Sequence, residues 1–205
     1  MNRKWVEYWL EILSVNIESS RRSTWTVFEP TPTFYRRLES GDDDDLEMAA
    51  DEIGRHLEIL TLPYVAYEWG LKMKPEVAGQ IKYGSGLRSQ IQIPLYYVGK
   101  PDALGGILAH ELTHEFLAFH NIKFTNLDET EQLTDLASIA LGLGKLVLNG
   151  TVSELLPSTG EGHILGYLSP ELKVYAFMQV NQQYKIPKEK LTENLNENAL
   201  KLLRS

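Results

Sequence analysis

The chain is predicted to fold as a single α+β domain, and three features of the sequence point there. Apolar residues recur at helical spacing near both ends. Residues 61–98 switch to β-branched and aromatic types broken by Gly and Pro, and two further apolar helical patterns follow. At 205 residues, 43% hydrophobic and 23% charged, the chain can bury a sizeable core, and no internal repeat divides it. Lys and Arg total 20 against 28 Asp and Glu, a formal charge of -8. That sign disfavours phosphate backbones and anionic lipid, so neither nucleic acid nor membrane is an expected partner. With no cysteine, disulfide scaffolds, thiolate zinc sites, iron–sulfur clusters and cysteine nucleophiles are excluded, and any metal site must use His and carboxylate.

The elements follow in order. Trp5, Trp9, Ile12, Leu13 and Ile17 predict an amphipathic helix over 4–18. Glu7 and Glu11 break what would have to be an apolar signal segment, so no export signal is expected and the chain reads as cytoplasmic. Pro30 and Pro32 predict an extended passage. The acidic run Asp42 to Asp45 lacks the alternating ligands and closing Glu of a calcium loop, and is expected to put negative charge at the start of a helix over 46–60. In that helix His56 is expected to serve surface or packing. A small sheet should occupy 61–98, with the alternation Gln90-Ile91-Gln92-Ile93 marking a half-buried strand and Pro94 favouring a sheet edge. Helices are expected over 102–119 and 130–148, then a Gly/Ser/Pro-rich loop through 162. A helix from Ser169-Pro170 to about 184 and one opening at Pro187 complete the chain. The apolar run at 136–144 is far too short to span a bilayer.

The first of the two apolar helices carries His110-Glu111-Leu112-Thr113-His114, an HExxH motif. At this spacing the histidines stand about 40° apart on one helical face and one turn apart in height, so both imidazoles reach a single ion. Glu111 sits about 60° beyond His114, near that ion but out of line to ligate it, where a base for an attacking water belongs. The motif interrupts an otherwise apolar helix, and buried polar groups need partners.

A catalytic zinc needs a third protein ligand. His120 has the spacing of HExxHxxGxxH, but Leu117 stands where a glycine must break the helix. Left helical, His120 points roughly 120° away from His114 and about 9 Å further along the axis. Glu131 is the better candidate. It forms an acidic and polar stripe with Asp135 and Ser138 on an otherwise apolar helix, which is costly unless something positive faces it. Glu129 is a frame-shifted substitute without an acidic residue four positions on. A capping box from Asp128 to Glu131 is the structural alternative for Glu131, as is pairing with a nearby base for Asp135.

HExxH followed at this distance by Glu131-Gln132-Leu133-Thr134-Asp135 resembles the gluzincin branch of zinc metallopeptidases, and the longer run through Gly144 is similar to small bacterial zincin-like proteins. The firm resemblance covers about residues 88–145. It implies a zincin-like single domain over 1–205, with a helical part over 1–60, the sheet and metal-site helices over 61–150, and a C-terminal helical part over 151–205. It further implies Zn²⁺ held by His110, His114 and Glu131, with Glu111 as general base and Asp135 orienting a ligating histidine. The expected activity is zinc-dependent, peptidase-like hydrolysis of a peptide or protein substrate, held along an edge strand around 88–95. The alternative is a zincin-fold metal-binding or regulatory module with little or no proteolysis. Metal affinity should collapse on acidification as the imidazoles protonate. An oxyanion also needs a donor, for which His163 and Tyr167 are candidates from a loop.

Overall fold

A computed structural model describes residues 1–20, 23–61, 63–68, 79–82, 89–124, 127–155 and 162–204. Its fold is mixed α+β, mostly helical, with a small three-stranded sheet. Helix α1 (Arg3–Ser20) buries Val6, Leu10, Leu13 and Ile17, one stripe at helical spacing, with Trp5 and Trp9 packed beside it. The extended passage expected around the prolines is cut short, because Pro32 opens helix α2 (Pro32–Ser40). Thr31 is its N-cap, accepting the Phe34 N–H at 3.1 Å, and Gly41 ends it at φ 74°.

The acidic run does what its position suggests. Asp42 caps helix α3 (Asp43–His56) by accepting from the Asp44 and Asp45 N–H groups, and Asp43 Oδ1 accepts the Tyr67 N–H at 2.9 Å. That last bond ties the helix start to strand β1 (Tyr64–Glu68). With β2 (Gln80–Lys82) and β3 (Gln90–Pro94) it makes a sheet of order β1-β3-β2, parallel between β1 and β3 and antiparallel between β2 and β3. Val65, Tyr67, Ile91 and Ile93 are buried. The alternating strand is therefore central, not the edge that Pro94 and the resemblance led us to expect, and Arg88 lies outside the described residues. Pro94 is tolerated because β2 pairs only with residues 90–92, so on that side no ladder bond is asked of it. Among the described residues, the strand edge beside the HExxH helix is β2.

Helix α4 (Pro101–Phe119) carries the motif and is buried on most sides. After it comes a broken rod: helix α5 (Leu127–Ser138), a π-helical turn (Ile139–Leu143) and helix α6 (Gly144–Thr151). The single helix expected over 130–148 is interrupted at Gly142, whose φ is +90°. Three consecutive carbonyls freed by this break are each capped from elsewhere in the chain. Ala140 O accepts the Trp25 indole N–H at 2.7 Å, Leu141 O accepts from His56 Nε2 at 2.9 Å, and Gly142 O accepts the Phe28 N–H at 3.0 Å. His56 thus has a packing role, as expected.

The expected loop after 148 instead contains two strands, β4 (Val152–Leu155) and β5 (Gly162–Ile164), paired antiparallel; the residues between them lie outside the described set. Helix α7 (Pro170–Gln183) starts as expected on the Ser169 cap. The C-terminal helix is two, α8 (Lys188–Thr192) and α9 (Glu197–Arg204), separated by a turn with Asn194 at φ 61°. Asn149 holds that turn, donating to Asn194 O at 2.9 Å and to Tyr35 Oη at 2.6 Å while accepting the Asn196 N–H at 2.9 Å. Among the described residues no helix is long and apolar enough to cross a membrane.

Candidate metal centre

Helices α4 and α5 bring His110, His114 and Glu131 together as the one such group among the described residues whose ligand atoms converge. His110 Nε2, His114 Nε2 and Glu131 Oε2 form a nearly equilateral triangle, with sides of 3.0, 3.1 and 3.2 Å. A tetrahedral ion with bonds of about 2.0–2.1 Å spreads its ligands about 3.3–3.4 Å apart, and an octahedral one about 2.8–3.0 Å. The triangle lies between the two and fits either ion.

The outer nitrogens show why these three atoms call for a cation. His110 Nδ1 lies 2.9 Å from Asp135 Oδ1, and the carboxylate of Asp135 accepts its hydrogen. Thr134 Oγ1 spends its own hydrogen on Thr130 O at 2.8 Å, so it meets His114 Nδ1, 3.4 Å away, as an acceptor. Both rings therefore carry hydrogen on Nδ1, and their Nε2 lone pairs face each other and the Glu131 oxygen. Three acceptors in mutual contact repel one another unless a positive ion sits among them.

Electrostatics agree. With a proton as its only cation, His110 feels burial pulling its pKa down, but the hydrogen bonds with Asp135 and Glu131 outweigh that and push it up to about 10. The two histidines hold Glu131 well below the usual carboxylate range. Burial opposes the charge on Asp135, yet His110 and Lys173 keep its carboxylate ionised. Glu111 moves the other way: it is only 6% exposed, and burial lifts its pKa although His110 and His114 pull it down. It accepts a hydrogen bond from the Ile81 backbone N–H, and a methyl on Gly79 would come within 3.0 Å of its Oε1. Edge strand β2 therefore runs alongside the carboxylate expected to act as base.

The other candidates are placed as follows. The Glu131 carboxylate is engaged with the imidazoles, which is not the arrangement of a capping box, and the Asp128 side chain lies outside the described residues. Asp135 fulfils both of its readings, bonding His110 and standing 3.8 Å from the Lys173 ammonium. Ser138 is buried on the same stripe, its hydroxyl 2.9 Å from both Thr113 Oγ1 on α4 and Thr134 O on its own helix, with one hydrogen to donate between them. Glu129 is not in the cluster. His120 is not either; it lies at the end of α4 against Phe116 and Phe119, in a cleft of about 340 Å³ with Ser20, Glu58 and Leu60. The Tyr167 ring is exposed and lies 5.7 Å from the His110 ring, its hydroxyl pKa raised by burial and by Glu131, Glu111 and Asp135. The His163 side chain lies outside the described residues, and its backbone pairs with Ser153.

Sequence reasoning missed Thr134, Lys173, the Ile81 amide and the turn over residues 165–168. Lys173 was legible in principle, since it shares a helical stripe with the buried Ala176, Phe177 and Val180 and is only 1% exposed. The turn donates two backbone N–H groups to Asp135 Oδ2, from Tyr167 at 2.6 Å and Leu168 at 2.9 Å. No protein-family model, no curated protein and no solved structure matches the chain.

Proposed function

We propose that this protein is a zinc-dependent, peptidase-like hydrolase of gluzincin type, with a zincin-like arrangement of sheet and helices. The observation that carries this reading is the convergence of two Nε2 atoms and one carboxylate oxygen from α4 and α5, with the buried carboxyl group of Glu111 beside them and outside that set. The donor set of two imidazoles and one carboxylate favours zinc over the hard ions, which prefer all-oxygen sites. Bound there, Zn²⁺ acidifies water and polarises a carbonyl.

The chain's own residues supply the rest. Asp135 fixes the His110 tautomer that offers Nε2 inward, and Thr134 does the same for His114. Glu111, whose pKa burial raises, accepts the proton of the attacking water and returns it to the departing amine. Tyr167, whose ring lies 5.7 Å from that of His110, donates its hydroxyl to the developing oxyanion. Extended substrate lies along β2, whose outer edge is unpaired among the described residues and whose Ile81 amide contacts the base.

Metal analysis and a peptide-library assay test this reading. The purified protein should hold about one equivalent of zinc, Glu111→Gln should keep it while losing hydrolysis at least about a hundredfold, and Glu131→Ala should lose the metal. Stoichiometric zinc without cleavage of any peptide by the unaltered protein would replace the enzyme with the binding module.

A further inference from the structure

The turn over residues 165–168 is wired to the metal centre through one carboxylate. Asp135 Oδ1 faces His110 Nδ1 at 2.9 Å, while Oδ2 accepts the amides of Tyr167 and Leu168 at 2.6 and 2.9 Å. Lys173, buried in α7, donates to Leu165 O and closes the same turn from beneath, its ammonium 3.8 Å from Asp135 Oδ2. Gly166 lets the turn come this close. Its φ is +85°, and a methyl there would stand 2.5 Å from Lys173 Nζ and 2.6 Å from Asp135 Oδ2. A carboxylate whose second oxygen is saturated has one direction left to point, and here that direction is the histidine. The same turn carries the Tyr167 ring over His110.

We propose that residues 165–168 form a strap that positions His110 for the cation, so that metal loading and docking of the Tyr167-bearing turn stabilise each other. The inference rests on the metal-centre reading and adds a regulatory property to it. A site that shares one rigid group with a surface turn is linked to it reciprocally: whatever tightens the ion orders the turn, and whatever displaces the turn loosens the ion by the same factor. Lys173 and Gly166 are positioning residues here; neither lies among the three ligands.

The test uses the full chain and Co²⁺, whose visible absorption reports ligand geometry. Gly166→Ala changes no charge and, at φ +85°, drives a methyl against Lys173 Nζ and Asp135 Oδ2, so it displaces the turn directly. Its Co²⁺ affinity should fall roughly tenfold and its spectrum shift, the scale seen when the groups orienting metal ligands are removed. Tyr167→Ala, which keeps the amide and removes the ring, should stay within about threefold of the unaltered protein. In the unaltered protein, adding Zn²⁺ should slow hydrogen exchange at the Tyr167 and Leu168 amides about tenfold, a readout that a merely structural turn would not move. Folded Gly166→Ala with unchanged affinity and spectrum overturns the strap, and if that variant does not fold, exchange at the two amides that ignores Zn²⁺ overturns it. Failure of the unaltered protein to bind Co²⁺ at all is a different result, and it removes the metal centre itself.

Discussion

At the scale of single residues, His110 is the atom-level meeting point of the site, holding Asp135 on one nitrogen and Glu131 on the other. Its pKa of about 10 without a metal lies above the ordinary histidine value of 6.5. The metal must therefore displace a proton across the whole physiological range. Apparent zinc affinity should rise about tenfold for each pH unit up to about 10, which chelator competition at several pH values will measure. Stability follows the same sign. A raised folded pKa favours the fold below about 6.5 and loses its effect as pH climbs through about 10. Melting temperature of the chelator-treated protein should accordingly drop between pH 7 and 10, and the zinc-loaded protein should not show that drop; equal profiles would contradict the assignment. His110, Glu111 and His114 were legible because their partners lie within one helical turn. Glu131 and Asp135 were legible as acids out of place on an apolar face. The amides of Tyr167 and Leu168 were not, because a backbone donor has no residue-type signature and the contact spans more than thirty residues of chain.

At the scale of elements, the break between α5 and α6 shows what local pattern leaves unsaid. Apolar residues run through it without a change of period, and only Gly142 hints at it; the three carbonyl caps come from Trp25, Phe28 and His56, remote in sequence. Gly142→Ala should be among the most damaging small substitutions in the protein. Its methyl would stand 2.3 Å from Thr26 O in addition to the strain of φ +90°. A loss of about 2–4 kcal/mol is expected in urea unfolding, with a value below about 1 kcal/mol arguing that the caps do not hold the break. Helix α2 escaped notice because Pro32 reads equally well as a chain straightener and as a first helical residue, and the Thr31 cap decides between them. The placement of β3 was misjudged for a related reason. Period-two alternation reports which face of a strand is buried and carries no information about which strands flank it.

At the scale of the whole molecule, polar centres interrupt the apolar interior. Among the described residues one is the candidate metal site, and another is Asn149 with the turn between α8 and α9. Asn149→Ala would strand the Asn196 amide, the Asn194 carbonyl and the Tyr35 hydroxyl, which should lower unfolding free energy by about 2–4 kcal/mol. Because Asn149 touches none of the metal-site groups, zinc affinity should stay within about twofold, and a larger change would show that the two centres communicate. Residue patterning correctly foretold an α+β chain with a small sheet, since a pattern read over tens of residues averages out local ambiguity. Hydrogen bonding between distant segments, such as Asn149 with Asn196 or Trp25 with Ala140, escapes any window that short.

The strap also sets an order of events during synthesis. His110, His114 and Glu131 leave the ribosome before residues 165–168, and Lys173 comes later still. A nascent chain therefore owns all three ligands while Asp135 lacks its two backbone donors and its buried ammonium. On the proposed strap, tight metal capture waits for residues 165–173, and a shorter nascent chain holds its ion loosely.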